Sequence, residues 1–509
     1  MTKALSLEAL RKDGQAFTEE ISRESYLAHA GHKSSAEFRP IYDRYAHILG
    51  DEALAFTLEL FKDSSKGSEE RRSASLLLEW QLESQSSRSL AELDEREIAW
   101  ESSAWIETPD GERVQYQAAA IEIANERDRS RRLALDAART ALVEREHAPM
   151  RLERIQREKD YIESLGIAPS YNAAFEEITG VSLRGLAAEC AAFLRETQPM
   201  WDESLPYYLK KSLGISPREA TRSDALALLR ASEYDFAFPG NTLQDSVSRQ
   251  LREMNVDPAA GGRIIYDVGD RPGKRARAFC APTKVPEEVY LVLRPHGGQS
   301  DYTTLLHEAG HALHFANMRQ DYPFEFRWLG DNSVTESYAM LFDHRMQDRG
   351  WLLRYTEVGS SKVDSFLRLA GFEELHYIRR YCAKLIYEVE AYGDSADWRS
   401  LPDLYVDTLT RATNFQYQAA DAFVDFDPRF YSTRYLRAWQ LQALLNESLV
   451  SRFDQDWFRN PSTGPFMINE LWGEGQRETA EDLATRVAIG EKGLSFAPLV
   501  RNIEKLLGS

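Results

Sequence analysis

Two histidines and a glutamate in the middle of the chain have the types and spacing of a metal-binding motif. His307 and His311 are four residues apart, and Glu308 directly follows the first of them. Four residues is just over one turn of an α-helix, so both imidazoles project from one face. Neutral imidazoles about 2.0–2.1 Å from a metal suit Zn²⁺. Glu308 would then lie beside the metal, where it could accept a proton from zinc-bound water.

The alternative is a helix whose histidines only cap it or face solvent. Leu305 and Leu306 lead into the motif, and Ala309, Ala312 and Leu313 can pack on the opposite side. This pattern predicts a helix with one buried apolar face and one face free for chemistry. We therefore favour the metal site over the alternative.

A zinc site needs a third protein ligand. No third histidine follows at the spacing of metzincins, so we expect a downstream carboxylate. The candidates are Asp321, Glu325, Asp331 and Glu336. Glu336 lies in residues 332–342, which we predict to be a second helix capped by Ser333, and a ligand on a helix is held more rigidly than one on a loop. We predict Glu336 as the ligand and the other three as surface charges in the connection.

The remaining sequence predicts a mainly α fold with a small β-sheet next to the motif helix. Residues 1 to about 235 show helical periodicity, for example over Ala91–Trp105 and Ala118–Ile162. The texture then changes, and three short apolar segments separated by Gly, Pro and Lys are predicted strands. These strands are Arg263–Asp267, Ala276–Cys280 and Val289–Leu293. Helical patterns resume after them and continue to residue 509.

Composition excludes several classes of function. The formal net charge is −19 over 509 residues, which disfavours binding to nucleic acid and to anionic lipid. No apolar run approaches the roughly 20 residues of a membrane helix, and the first residues do not read as a secretory signal. The cysteines are Cys190, Cys280 and Cys382, which form no CxxC pair and no disulfide framework. We therefore expect a cytoplasmic protein with neither nucleic acid nor membrane as a partner.

The motif region resembles the thimet oligopeptidase and oligoendopeptidase F group of zinc metallopeptidases. The resemblance rests on His307-Glu-Ala-Gly-His-Ala-Leu-His314 and on Glu336, which follows His311 by 25 residues. Residues 271–282 are similar to the stretch that precedes the edge strand in that family, and the clear resemblance covers about residues 220–450. It implies a two-lobed helical body with a deep substrate channel that admits short unfolded peptides. Residues 1–235 would form part of the channel wall and residues 236–509 the zinc-peptidase catalytic region, with lobes that can interleave.

A tyrosine-rich loop near the C-terminus is the second point of resemblance, and it implies phenols that stabilise the oxyanion. The similar stretch here is residues 426–439, with Tyr435 and Tyr431 as the candidate donors. Two features depart from the family: Asp425-Phe426 replaces the usual Gly-Tyr, and no histidine follows His376. Tyr435 is the first choice because it opens the predicted helix over residues 435–444, although either tyrosine could instead be a core aromatic.

Three other features have open alternatives. His314 could support the metal ligands or be a packed helix histidine. Residues 296–298, His-Gly-Gly, could form a flexible loop or an ordinary turn. Val289–Leu293 could offer a free edge to a peptide or be a buried strand.

These observations predict a zinc metallopeptidase with one Zn²⁺ per chain, and the resemblance implies a metalloendopeptidase that hydrolyses peptide bonds in short unfolded oligopeptides. Zinc would acidify a water and polarise the scissile carbonyl, and Glu308 would transfer the proton to the leaving amine. One alternative is a dipeptidyl- or carboxypeptidase, whose carboxylate anchor could be Arg429, Arg434 or Arg437. The other is a catalytically idle zinc-containing binding protein. The sequence does not predict the oligomeric state.

Overall fold

The structure is a computed structural model that describes residues 5–230, 232–275, 277–393, 396–490 and 493–508. Most of these residues are helical, which confirms the mainly α fold predicted from the sequence. The helices up to residue 228 are α1 (Leu7–His29), α2 (Arg39–Arg44), α3 (Asp51–Asp63), α4 (Glu69–Ser89), α5 (Ala91–Ser103), α6 (Tyr116–Asn125), α7 (Arg129–Leu142), α8 (Ala148–Ser164), α9 (Tyr171–Thr179), α10 (Leu183–Glu196), α11 (Gln198–Ser212) and α12 (Arg222–Leu228).

The second half of the chain is also mostly helical. Its helices are α13 (Leu243–Glu253), α14 (Gln299–Ala316), α15 (Phe324–Trp328), α16 (Asn332–Asp343), α17 (Arg349–Tyr355), α18 (Val363–Ala391), α19 (Leu401–Thr413), α20 (Tyr431–Phe453), α21 (Thr463–Phe466), α22 (Ala480–Val487) and α23 (Ala497–Leu507). Among the helices in the described ranges, none is long and apolar enough to cross a membrane.

The chain forms two compact units. Unit 1 consists of Met1–Leu82, Ser232–Ala370 and Arg437–Ser509, and unit 2 consists of Glu83–Ala231 and Gly371–Leu436. Each unit therefore combines segments that are far apart in sequence. The predicted division into residues 1–235 and 236–509 concerns roles around a substrate channel, and it stays a prediction.

Residues 91–162 of unit 2 differ in detail from the helices predicted there. Helix α5 ends at Ser103, and two strands, β1 (Trp105–Glu107) and β2 (Arg113–Gln115), then pair antiparallel. This ribbon was not predicted, because strands of three residues are too short to show an alternating pattern. The stretch Ala118–Ile162, which we expect to form one or two helices, is divided among α6, α7 and α8. One division arises because Asp128 caps α7 by accepting a hydrogen bond from the N–H of Ser130 at 2.9 Å.

A three-stranded sheet precedes the motif helix in unit 1. Its strands are β3 (Ile264–Asp267), β4 (Phe279–Lys284) and β5 (Glu288–Val292). The central strand β5 runs parallel to β3 and antiparallel to β4. The first and third predicted strands are therefore confirmed to within one residue. The free edge considered for Val289–Leu293 is wrong, because β5 is paired on both sides.

The predicted strand Ala276–Cys280 is wrong in position, since β4 begins only at Phe279 and Ala276 lies outside the described residues. The basic residues that precede β4 contact Asp267 at the end of β3. The Asp267 carboxylate accepts hydrogen bonds from Arg271 Nη2 at 2.7 Å and from Lys274 Nζ at 3.1 Å. Burial raises the pKa of Asp267, but these donors outweigh it and hold the pKa well below its usual range.

Helix α1 packs against this sheet and fixes the position of β4. Tyr26 donates a hydrogen bond to Asp267 at 3.0 Å, and its ring stacks on Tyr290 with centroids 3.9 Å apart. Tyr26 and Ala30 form an apolar cluster with Ala281 of β4. Strand β4 is therefore supported by packing against helix α1.

Candidate metal centre

The motif helix α14 begins at a defined turn. Gly298 precedes it with φ 96°, in the left-handed region that favours glycine. The Asp301 carboxylate accepts hydrogen bonds from the N–H groups of His296 and Gly297 at 2.6 and 2.8 Å. These hydrogen bonds hold residues 296 and 297 against the first turn of α14.

Gly310, between the two motif histidines, allows α14 to approach α16 closely. A Cβ atom added at Gly310 would lie 2.6 Å from the Cα of Ala339 and 2.6 Å from the carbonyl oxygen of Tyr338. Both contacts are with backbone atoms, so a side chain fits only if the helices separate. This approach brings the histidine face of α14 against Glu336 on α16.

The N-terminus of α16 is capped by Asp331 and not, as predicted, by Ser333. Asp331 Oδ1 accepts a hydrogen bond from the Ser333 N–H at 3.0 Å, and Arg437 Nη2 binds Asp331 Oδ2 at 2.5 Å. The Asp331 side chain is only 10% exposed, so its prediction as a surface charge is wrong. Burial raises the pKa of Asp331, but Arg437 outweighs burial and holds the pKa well below its usual range. A carboxylate that caps a buried helix end is stabilised by a partner of opposite charge, here the Arg437 guanidinium.

The ligand atoms of His307, His311 and Glu336 lie within 4.8 Å of one another. Nε2 of His307 is 3.3 Å from one Glu336 oxygen, and Nε2 of His311 is 3.4 Å from the other. Tetrahedral zinc with bonds of about 2.0–2.1 Å would separate its ligand atoms by about 3.3–3.4 Å. The three side chains, all 20% exposed or less, are therefore close enough together to bind one divalent cation between them.

Two residues of α16 orient the histidine rings. Nδ1 of His307 is 2.9 Å from Asp343 Oδ2, and Nδ1 of His311 is 3.0 Å from Thr335 Oγ1. When Nδ1 carries the proton and donates it to these partners, Nε2 is left as a lone-pair donor for a metal. Sequence reasoning missed both partners. The signal for Asp343 was its spacing, since seven residues after Glu336 is two helical turns and the same face.

The electrostatics of the centre attract positive charge. Burial lowers the pKa of His307, but the hydrogen bond and charge of Asp343, helped by Glu336, outweigh burial and raise it to about 9. Burial raises the pKa of Glu336, but the hydrogen bond from His311 outweighs it and the pKa lies below its usual value. A cation would gain from the same negative field, in competition with the proton on His307.

Glu308 lies beside the three candidate ligands and contacts the sheet. Its Oε2 accepts a hydrogen bond from the backbone N–H of Cys280 on β4 at 2.8 Å. Cys280 is opposite Leu291 of β5, and its N–H points away from that strand. The edge strand therefore fixes the carboxylate that we expect to act as the base.

The structure also locates the other candidates from the motif region. His314 is buried, its Nε2 contacts the carbonyl oxygen of Gly475 at 3.1 Å, and burial lowers its pKa to about 3. It is therefore a packed helix histidine. Asp321 is exposed and pairs with Arg319, as expected of a surface charge. Glu325 is fully buried, and its carboxylate accepts hydrogen bonds from Arg11 and Ser73. Its prediction as a surface charge is therefore wrong.

The two candidate tyrosines lie in the first turns of α20, in unit 2. Their rings pack edge to face with centroids 5.3 Å apart, and Tyr435 also packs against Tyr381 at 5.4 Å. Tyr431 begins the helix, which starts four residues earlier than predicted. The role of either phenol toward the metal centre of unit 1 stays a prediction.

The three arginines considered as carboxylate anchors have different surroundings. Arg437 is 4% exposed and binds Asp331 and Glu481, so it is committed to holding α16. Arg429 pairs with Glu83. Arg434 lies over the ring of Tyr431, with Cζ 5.3 Å from the centroid.

A second group of side chains in unit 2 has ligand atoms within 4.8 Å, formed by Glu97, Glu101 and His147. His147 already contacts Glu97 at 2.8 Å through Nε2 and the Tyr116 hydroxyl at 3.0 Å through Nδ1. Arg151 adds a positive charge at 3.4 Å from Glu97. His147, Glu97 and Arg151 therefore already contact one another in this group.

Comparison with known proteins establishes the fold. No protein-family model matches the sequence, and a comparison with curated proteins finds no match. The structure is similar to that of the M32 carboxypeptidase from Deinococcus radiodurans R1, with 13% identity, a TM-score of 0.61 and 99% of each chain covered. It is also similar to Trypanosoma cruzi metallocarboxypeptidase 1, with 13% identity, a TM-score of 0.60 and 99% of each chain covered. The chain therefore has the fold of solved metallocarboxypeptidases along its whole length, a finding that does not single out the oligoendopeptidase F group.

Proposed function

We propose that the protein is a zinc metallopeptidase and, within that class, a carboxypeptidase that acts on short peptides. One observation carries the proposal. The ligand atoms of His307, His311 and Glu336 lie within 4.8 Å of one another, in a fold shared with solved metallocarboxypeptidases. Glu308 is the residue we propose as the general base, and its carboxylate is held by the Cys280 N–H.

The residues of the centre would divide the work of amide hydrolysis. Zinc held by His307, His311 and Glu336 would supply Lewis-acid polarisation of the scissile carbonyl and an acidic water. Glu308 accepts the proton of the attacking water and transfers it to the leaving amine. The Cys280 N–H keeps the Glu308 carboxylate oriented during both transfers.

Removal of C-terminal residues requires a cation for the peptide carboxylate. We assign this role to Arg434, because it lies over Tyr431 in the tyrosine pair where we expect the oxyanion to be stabilised. The oligopeptidase predicted from the motif is the second candidate, supported by residues 307–314 and by the 25-residue spacing to Glu336. In both cases the proposed substrates are short unfolded peptides, and a folded protein should be left intact.

One peptide in two forms separates the candidates. The zinc-loaded protein is incubated with a ten-residue peptide that has either a free carboxylate or a C-terminal amide, and the products are followed by mass spectrometry. A carboxypeptidase releases single residues from the free form and leaves the amide nearly untouched. An oligopeptidase cuts both forms internally at similar rates. No cleavage of either form by zinc-loaded protein would leave only the zinc-containing binding protein.

A further inference from the structure

The carboxylate of Asp343 lies between two imidazoles. Its Oδ2 is 2.9 Å from Nδ1 of His307, and its Oδ1 is 2.6 Å from Nδ1 of His344. Each oxygen therefore accepts from a different ring. This carboxylate connects a candidate zinc ligand to a histidine outside the centre.

We propose that His344 is a positioning residue for the zinc ligand His307 and acts on it through Asp343. This inference rests on the zinc site of the proposed function. The χ2 torsion of an aspartate is broad, so one hydrogen bond leaves the carboxylate able to rotate. A donor on each oxygen fixes its plane, and with it the direction in which Oδ2 accepts from His307. The Nε2 lone pair of His307 is thereby aimed at the position between His311 and Glu336.

Burial makes the second donor necessary. The Asp343 side chain is 15% exposed, and a buried carboxylate needs hydrogen bonds to both oxygens. His307 supplies one of these hydrogen bonds, to Oδ2, and His344 supplies the other, to Oδ1.

The backbone next to His344 is held firmly enough for the ring to act in this way. His344 is the C-cap residue that directly follows α16, with φ −67°. The following residue, Arg345, is 3% exposed, and its Nη2 donates to Asn446 Oδ1 at 2.9 Å. The Arg345 guanidinium also lies over Trp457, 4.5 Å from the ring centroid. The imidazole thus extends from a fixed point toward Asp343.

A cavity beside His344 allows the side chain to be replaced without overpacking. The cavity has a volume of about 570 Å³, and its lining includes His344, Gln347, Asn446 and Arg501. The His344 side chain is 11% exposed. Polar side chains of similar size can therefore occupy this position.

Two amide variants separate a donor role from a packing role. The Nδ2 of asparagine occupies nearly the place of the imidazole Nδ1, whereas the amide of glutamine reaches the place of Nε2. His344→Asn should therefore keep the donor to Asp343, and His344→Gln should lose it. Zinc dissociation constants of full-length protein are measured by competition with a chromogenic chelator, without any peptide. The visible spectrum of the cobalt-substituted forms reports the ligand geometry independently.

We expect His344→Gln to raise the zinc dissociation constant by about 10–100-fold and to change the cobalt spectrum. His344→Asn should keep the wild-type spectrum and an affinity close to that of the wild type. If both variants match the wild type, or if both are weakened equally, the donor role is overturned. Should His344→Gln fail to fold, as judged by thermal unfolding, His344→Leu takes its place as the variant without a donor.

These results also distinguish the inference from the proposed function. A wild type that binds zinc but cleaves no peptide removes the peptidase, while the comparison of the two variants still tests His344. A wild type that binds no zinc overturns both.

Discussion

Replacing Gly310 with alanine tests whether the close approach of α14 and α16 builds the metal centre. The new Cβ would lie 2.6 Å from both the Ala339 Cα and the Tyr338 carbonyl oxygen. Ordinary contacts begin at about 3.5 Å, so the two backbones must separate locally by about 1 Å. His307 and His311 lie on one helix and Glu336 on the other, and their atoms are 3.3 and 3.4 Å apart. Metal sites tolerate displacements of only about 0.5 Å.

The magnitude follows from the strain of overpacking. Added atoms in a tightly packed contact typically cost about 1–3 kcal/mol. Zinc binding would have to bring the two helices back together against this strain. The zinc dissociation constant of Gly310→Ala should therefore rise by roughly 5–150-fold. Alanine in a helix is more favourable than glycine by about 0.5–1 kcal/mol, so any loss of stability must come from the contact itself.

The assay compares Gly310→Ala with Gly359→Ala by chelator competition and thermal unfolding. Gly359 lies in the same unit and has no heavy atom within 4 Å of an added Cβ. We expect the control to bind zinc like the wild type. Wild-type zinc affinity and unfolding temperature in Gly310→Ala would refute the reasoning.

Three further predictions concern the surroundings of the site. Asp343→Asn should weaken zinc binding by about 10–100-fold in chelator competition, because an amide cannot accept from both His307 and His344; unchanged affinity would contradict this. Tyr435→Phe should lower kcat by about 10²–10³-fold with KM near wild type, measured on one quenched peptide; if Tyr431→Phe carries the loss instead, the assignment is reversed. The lowered pKa of Asp331 means that its ion pair with Arg437 stabilises the fold above the unfolded pKa of about 3.9 and is lost as pH falls. Asp331→Asn should therefore lose less stability than the wild type between about pH 4.5 and pH 2 in urea unfolding, and parallel pH profiles would refute this.

The sequence predicted the helix of the motif and the three candidate ligands because both depend on local spacing. Four residues place His307 and His311 on one helical face, and the family spacing selects Glu336. The spacing does not show that the three side chains come together in the fold. That depends on the packing of α14 against α16, where Gly310 fits against Ala339.

The errors have a common physical origin, since they concern partners that are distant in sequence. Glu325 and Asp331 read as surface charges because Arg11 and Arg437, their partners, lie about 314 and 106 residues away. Likewise, an apolar segment such as residues 289–293 does not show whether its strand lies at the edge or in the centre of a sheet. Only the pairing of β5 with both β3 and β4 decides this.

The central claim is that Glu308 acts as the base of a zinc-dependent hydrolysis, and Glu308→Gln tests it most directly. The amide keeps an oxygen that can accept from the Cys280 N–H, so the side chain should stay in place. It cannot accept a proton, and general-base catalysis is typically worth about 10²–10⁴-fold. The measurement is kcat on a short free-carboxylate peptide, with the zinc content of both proteins determined on the same samples. We predict one zinc per chain in each protein and a kcat at least about 100-fold lower in the variant. Equal zinc content with kcat within a few-fold of wild type would contradict the account.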